Sequence, residues 1–464
     1  MKANRKTLPG FMISAPASGS GKSSVTCGLM RLLTQQGYTV APYKTGPDYI
    51  DASHHSRACR RPSYNLDSWM CSKQYIASLF RETSRGADIA VAEGVMGLFD
   101  GAASRTGKGS TAEIAKLLRL PVILVIDARA MAQSAAAIAK GFAELDPDLP
   151  FLGVIANRVN SAGHEKLIKD ALTQKTDIPF LGRLPYDAQL KIADRHLGLH
   201  TSMEQQEEWY DQWAAHIEKH IDVKTLVRRA RRDVSDLPQL NASKARWASV
   251  KPRPFTVAVA RDIAFQFVYQ DTLDLFRHYG GTVRFFSPIN DKQLPAGTDW
   301  VYLPGGYPEL HAKSLAKNKR LMAQLRKRID DGIPVVAECG GLMYLGKDLI
   351  DESGKKFNMT GVFDYGVTLH PKKLTLGYRN LKNVDTDSQQ VAMKGHEFHY
   401  SQFSVNKESA SMMHHPSRTE ETIQDGWRRD NCRAFYTHLY WGASPKWLKL
   451  ILDQVDLKRS QTSK

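Results

Sequence analysis

Ile333-Pro-Val-Val-Ala-Glu-Cys339-Gly-Gly-Leu-Met-Tyr-Leu345 sets a short β-rich apolar run, a cysteine, two glycines and the beginning of a helical pattern in a row. The run from Val335 to Ala337 predicts a buried strand that stops at Glu338-Cys339-Gly340-Gly341, and the spacing of Leu342, Leu345 and Leu349 predicts a helix after it. Two glycines behind the thiol let the backbone turn sharply, as a nucleophile elbow requires. Such a turn is expected to expose the sulfur at the sheet edge and to aim helix-terminal N–H groups at it, that of Gly340 among them. Those dipoles would lower the thiol pKa and stabilise an oxyanion formed beside it. A lone cysteine in an apolar region is more often a small core residue, and the flanking glycines are what favour the elbow here.

Working outward, Asp299-Trp-Val-Tyr-Leu-Pro-Gly305-Gly306-Tyr307-Pro308-Glu309 reads as a strand ending in a loop whose Gly305 and Gly306 can turn backbone N–H groups toward a tetrahedral intermediate. Ala434-Phe-Tyr-Thr-His438-Leu-Tyr-Trp ends another strand with a histidine, a candidate general base for Cys339. Together these segments resemble the class I, or triad, glutamine amidotransferase domain. That family usually carries a Glu two residues after the His, and here the position is Tyr440. The cobyrinic and cobyric acid synthase branch lacks the same Glu, so the departure narrows the resemblance.

At 464 residues the chain is long enough for two or three domains, and its 42% hydrophobic and 24% charged residues are ordinary for globular proteins. No apolar run approaches the length a membrane span requires. The first residues enter a strand without the long apolar region of a signal peptide. Five cysteines, an odd number without paired spacing, favour free thiols in a reducing compartment. A cytoplasmic location is expected from both. The net charge of +16 raises the question of nucleic acid, but no nucleic-acid motif accompanies it. The densest basic cluster, Arg228, Arg229, Arg231 and Arg232, is expected on an exposed helix before a linker. A small polyanionic substrate would be steered by the same charge.

From Thr7 to about residue 187, short apolar strands alternate with helical stretches, the pattern of a parallel sheet covered on both faces. The expected strands are Phe11–Ser14, Thr39–Tyr43, Asp88–Ala92, Val122–Ile126, Leu152–Ala156 and Phe180–Leu184. Between the first strand and a helix expected over Val25–Leu33 lies Ser14-Ala-Pro-Ala-Ser-Gly19-Ser-Gly21-Lys22-Ser23-Ser24, a phosphate loop with Pro16 in place of the usual first glycine. Its glycines and small residues let N–H groups surround phosphate oxygens, Lys22 reaches the β/γ phosphates and Ser23 can ligate Mg²⁺. ATP is therefore expected on Gly19, Gly21, Lys22, Ser23 and Ser24.

This loop resembles that of dethiobiotin synthetase and its relatives, which phosphorylate a carboxylate. Lys44-Thr-Gly-Pro-Asp48-Tyr-Ile-Asp51 and Glu93-Gly94 follow the second and third strands, at the carboxyl ends where open α/β sheets bind ligands. Asp48 and Glu93 are expected to complete a Mg²⁺ shell with Ser23, while Lys44, Asp48 and Asp51 meet substrate or phosphate. By the same resemblance Asn157, ending Gly153-Val-Ile-Ala-Asn157, would face the adenine. A turn-forming Asn is its rival. Ala193-Asp-Arg195-His196-Leu-Gly198-Leu-His200 also matches the cobyrinic acid branch without suggesting chemistry for His196.

A polar helical stretch is expected from about residue 204 to 232, and Ser235 through Pro254 has linker composition. The domains are thus expected as 1–233, a linker 234–254, and 255–464. Strands of the second are expected at Thr256–Ala260, Val283–Phe286, Trp300–Leu303 and Val335–Ala337, with a helix Thr272–Tyr279. Lys394-Gly395-His396-Glu397-Phe398-His399-Tyr400-Ser401 lies between elbow and histidine. Its spacing does not suit a metal on one helical face. With the preceding motifs in order, the chain is similar to the cobyrinic acid a,c-diamide synthase family nearly throughout.

The fold class expected is α/β with two doubly wound domains, an N-terminal P-loop NTPase-like domain and a C-terminal class I glutamine amidotransferase-like domain. The resemblance implies ATP- and glutamine-dependent amidation of the a and c carboxylates of cobyrinic acid through acyl phosphates, in cobalamin biosynthesis. ATP and Mg²⁺ are the implied cofactors, cobyrinic acid and L-glutamine the small-molecule partners, with no nucleic acid and no membrane. A homodimer is compatible with it. A sibling acting on hydrogenobyrinic acid or nickel-sirohydrochlorin shares these motifs. A nucleotide switch with a degenerate amidotransferase module is the reading from another class, and the intact Cys339, His438 and Gly305-Gly306 argue against it.

Overall fold

Seven parallel strands, β1 (Gly10–Ser14), β2 (Val40–Thr45), β3 (Tyr64–Leu66), β4 (Ile89–Glu93), β5 (Val122–Asp127), β6 (Phe151–Asn157) and β7 (Phe180–Leu184), form one sheet in the order β3-β2-β4-β1-β5-β6-β7. All of its pairings are parallel. The computed structural model describes residues 8–102, 107–191, 194–195, 198–231, 246–247, 251–383, 392–404, 412–416 and 421–462. The chain divides into two compact units, Met1–Ser243 and Lys244–Lys464.

β-branched and apolar residues make β1 and β4 fully buried, as strands covered on both faces must be. The order reverses at β1, with β4 on one side and β5 on the other, which opens a crevice at its carboxyl end for the Ser14–Gly21 loop. The helix Lys22–Gln35 follows the loop directly, its cap residue Gly21 at a φ of 91° that a side chain would resist. The expected polar stretch after residue 204 is in fact two helices, Glu207–His220 and Val223–Arg229. The first is amphipathic. It buries Trp209, Tyr210, Trp213, Ala214 and Ile217 in the core around Lys22–Gln35, where a side chain on Gly28 would lie 2.9 Å from Ile217. Arg31, nearly buried, bonds Glu207 at 2.6 Å and Asp211 at 2.7 Å across the same contact. Arg228, Arg229 and Arg231 are exposed as expected, whereas Arg232, His196 and most of the 234–254 linker lie outside the described residues.

The second unit has a six-stranded sheet in the order Gly281–Phe286, Phe255–Ala260, Trp300–Leu303, Val335–Glu338, Cys432–Phe435, Trp427–Arg429, parallel except for the last. A five-stranded antiparallel sheet beside it includes Thr375–Asn383, Ala392–His399 and His438–Leu439. An aromatic cluster of Trp300, Trp441, Trp447, Phe276 and Tyr302 fills one face of the first sheet. The expected strands of both units are present, with ends differing by a residue or two. The helix after Cys339 is shorter than the leucine spacing implied. It stops at Leu345, where Gly346 turns extended against the Tyr365 ring, and Leu349 belongs to the strand Asp348–Ile350.

Two candidate active sites

In the first unit, the carboxyl ends of β1, β2 and β4 bring Ser23, Lys44, Asp51 and Glu93 together. Ser23 Oγ lies 2.6 Å from Glu93 Oε1 and 3.2 Å from Asp51 Oδ2. Lys44 Nζ, 1% exposed, donates to Asp51 at 2.5 Å, to Glu93 at 3.0 Å and to the Gly94 carbonyl at 2.9 Å. Asp48 stands one step away. It caps the helix Tyr49–Cys59 by accepting the Asp51 N–H at 2.9 Å, and its other oxygen is 3.9 Å from Lys44.

Charge explains why these buried groups coexist. Burial pushes the Asp51 and Glu93 carboxyls up, but Lys44 outweighs it, with His55 adding, and both end below the usual carboxylate range. Burial would pull Lys44 down, and the Asp51 and Glu93 charges hold it well above its ordinary value instead. Asp48 is pushed up to about 6 by burial and by the Asp51 charge. Burial, then Lys44, lowers Lys22. One cation set among anions is thus the stable arrangement, and the hydroxyl and carboxylate oxygens of Ser23, Asp51 and Glu93 are the hard donors a Mg²⁺ ion prefers.

Asn157 ends β6 beneath the loop. Its amide donates to the Ser20 carbonyl at 2.9 Å, and a side chain on Gly21 would lie 2.3 Å from that amide nitrogen. Asn157 Oδ1 accepts the Arg158 N–H at 3.0 Å. The side chain therefore braces the phosphate loop from below.

In the second unit, Cys339 occupies a sharp turn at φ 46°, ψ −101°, strained for a residue with a side chain. Two close approaches build the surroundings. A side chain on Gly340 would lie 3.0 Å from the Gly306 nitrogen, so the Gly305–Gly306 strand runs against the turn. A side chain on Gly305 would lie 2.2 Å from His438 Cε1, so the imidazole rests on that glycine. A face of the His438 ring stacks on His396, centroids 5.0 Å apart and planes 17° apart, because the strands Ala392–His399 and His438–Leu439 pair these two residues. Tyr269 reaches His396 Nδ1 at 3.3 Å and packs on Tyr440 at 4.9 Å.

The expectation of an exposed, acidified thiol is corrected here. Cys339 is 3% exposed, and burial pushes its thiol well above the ordinary value, with the Glu309 charge adding and the Gly340 N–H opposing. Desolvation of the charged form outweighs one helix-terminal N–H. His438 is pushed well below its usual range by burial, with His396 and His399 adding. Burial thus favours the uncharged form of both groups, and the Gly305–Gly306 strand runs against the cysteine turn and the imidazole alike.

The family described as the CobQ/CobB/MinD/ParA nucleotide binding domain matches residues 11–199, and that described as the CobB/CobQ-like glutamine amidotransferase domain matches residues 256–446. Cobyrinate a,c-diamide synthase of Listeria innocua is 39% identical over 445 residues, 94% of this chain and 97% of that protein. The Streptococcus sanguinis protein of the same name is 38% identical, covering 96% of this chain and 98% of its own length. Hydrogenobyrinate a,c-diamide synthase of Brucella anthropi is 42% identical over 85% of this chain and 89% of that one. The chain belongs to the cobyrinate a,c-diamide synthase family.

With the family established, the chain is an ATP-dependent, glutamine-using, amide-forming ligase of two α/β domains. Two buried residues next to these sites were not singled out from the sequence. His55 lies 2.6 Å from Glu93 Oε2, and Glu338 accepts hydrogen bonds from Trp441 and Tyr302. The doubled His54-His55 after Asp51 was the only available signal for the first. The second had none beyond its place before Cys339.

Proposed function

We propose that this chain amidates the a and c carboxylates of cobyrinic acid, activating each with ATP and taking nitrogen from glutamine. The observation that carries the reading is the alignment of nearly the whole chain with cobyrinate a,c-diamide synthases, over a phosphate loop in one unit and a cysteine–histidine pair in the other. A carboxylate is a poor electrophile until one oxygen becomes a leaving group. Its oxygen attacks the γ-phosphorus, ADP departs, ammonia adds to the acyl phosphate and phosphate leaves. Gly19, Gly21, Lys22, Ser23 and Ser24 hold the nucleotide, and Asn157 keeps their loop in shape. Lys44, Asp48 and Asp51 meet the substrate end. Ser23 and Glu93 would hold Mg²⁺ with Asp51, and with Asp48 through its outer oxygen. The ion, when bound, neutralises phosphate charge. Among the described residues no three His, Cys, Asp or Glu side chains form a ready-made cation cage.

At the second site His438 takes the Cys339 proton as sulfur attacks the glutamine amide carbon. Gly305, Gly306 and Gly340 offer N–H groups to the oxyanion, ammonia leaves with the proton from His438, and water releases glutamate from the thioester. A neutral resting pair favours slow idle hydrolysis of glutamine, with turnover awaiting a filled synthase site. The reading places the enzyme in the cytoplasm, where its free cysteines stay reduced. No helix among the described residues is long and apolar enough to cross a membrane.

A second reading, hydrogenobyrinic acid as the macrocycle, is favoured by the Brucella relatives at 42% identity. Initial rates of ADP release with cobyrinic acid, hydrogenobyrinic acid and nickel-sirohydrochlorin, each with glutamine and Mg²⁺, test the choice. The proposal expects the highest kcat/KM with cobyrinic acid. A preference for either of the others overturns it.

A further inference from the structure

Tyr440 stands where the amidotransferase resemblance places the acid that orients the histidine, and its ring is occupied with Tyr269. A buried acid nevertheless reaches this segment from the opposite direction. Glu338 closes the strand Val335–Glu338 and is joined to Cys339 by one peptide bond. Its Oε1 accepts the Trp441 indole N–H at 2.9 Å, its Oε2 accepts the Tyr302 hydroxyl at 2.9 Å, and the Leu439 backbone N–H also donates to it. Leu439 follows His438 directly, and Trp441 lies just beyond Tyr440. One carboxyl therefore grips the chain on both sides of Tyr440 while its own backbone enters the cysteine turn. Glu397, another buried acid nearby, holds Thr437 at 3.1 Å but is paired with Arg379 at 2.7 Å and has no covalent link to the turn.

We propose that Glu338 is the positioning acid of the Cys339–His438 pair, fixing the segment that carries the base against the turn that carries the nucleophile. It acts on geometry and leaves the imidazole charge to other groups. Burial pushes its carboxyl up to about 8, opposed by the three donors that converge on it. Removing the carboxyl leaves the indole, the phenol and one backbone N–H buried with no acceptor, and frees His438 to drift from the sulfur.

The inference rests on the reading that Cys339 and His438 hydrolyse glutamine. The test is the ratio of glutamine-dependent to ammonium-dependent synthesis in the full chain, with kcat and KM for glutamine measured separately. Glu338→Ala is expected to lower the glutamine-dependent kcat about 10- to 100-fold, the cost of misplacing a reacting pair by up to about 1 Å, with little change in KM and with ammonium-dependent synthesis retained. Glu338→Gln should recover most of the loss, since its amide oxygen can face Trp441 and its NH₂ the Tyr302 oxygen. Trp441→Phe, which keeps the ring and removes one donor, should show a partial loss in kcat, and it reads the same contact should Glu338→Ala fail to fold. Glutamine kcat within twofold of wild type in Glu338→Ala and Trp441→Phe overturns the proposal. So does a fall that is equal with both nitrogen sources, which would mark a purely structural residue. Cys339→Ala, measured beside them, separates the two levels. If glutamine-dependent synthesis persists there, the reading beneath the inference is wrong and the inference falls with it.

Discussion

Adding one methyl group at Gly305 is expected to disable the glutaminase half through a displacement that can be read from the structure. Gly305 carries no positive φ, so alanine costs little in backbone strain. Its Cβ would lie 2.2 Å from His438 Cε1, 3.0 Å from Nδ1 and 3.2 Å from Nε2. Ordinary contact begins near about 3.4 Å, so the imidazole must retreat by roughly 1 Å. The ring also stacks face to face on His396, centroids 5.0 Å apart, which resists a tilt of the imidazole out of its plane. A misplacement of about 1 Å in a reacting pair costs on the order of 100-fold in rate, near 2.7 kcal/mol of barrier. Initial rates of amidation are measured with saturating glutamine and, separately, with high ammonium chloride, alongside thermal unfolding. The expected result is a loss of about 100-fold with glutamine, against less than about twofold with ammonium. A glutamine rate close to wild type, or parallel loss with both nitrogen sources, would refute the reasoning.

Other consequences are as direct. Lys44→Met leaves Asp51 and Glu93 buried without their cation, and should cost about 3 kcal/mol in denaturant unfolding and abolish amidation with either nitrogen source. Unchanged stability would contradict the buried-pair account. Asn157→Ala removes the brace under the phosphate loop and should weaken ATP binding about tenfold by calorimetry, with the slow glutamine hydrolysis seen without ATP and macrocycle unaffected. Because burial raises the Cys339 thiol, its alkylation by iodoacetamide in the resting enzyme should climb about tenfold per pH unit from pH 7 to 9, as the thiolate fraction does below a pKa. A plateau below pH 8 would show an acidified thiol.

The parts legible in the sequence were those in which one short stretch carries the whole signal. The loop from Ser14 to Ser24 and the turn at Cys339 each declare a strand, a glycine turn and a helix within a dozen or so residues, and the sheets follow from apolar runs between them. What stayed hidden depends on partners far apart in the chain. His55 meets Glu93 across 38 positions and Glu338 meets Trp441 across 103, and no local pattern announces either contact. The thiol was misjudged for a related reason. The adjacent Gly340 N–H is visible in the sequence, whereas the burial that outweighs it is contributed by segments up to a hundred residues away. The amphipathic face of Glu207–His220 was obscured by the charged residues between its buried ones, which look outward and to Arg31 and Arg57.

The most direct test of the whole account is a mass spectrum of the product from cobyrinic acid, ATP, Mg²⁺ and glutamine labelled with nitrogen-15 in its side-chain amide, run without added ammonium. The account predicts a monoamide that appears first and converts to one diamide, with a labelled nitrogen in each new amide and none from solvent. Amides beyond the second, unlabelled nitrogen in the product, or no amide on the corrin at all would contradict it.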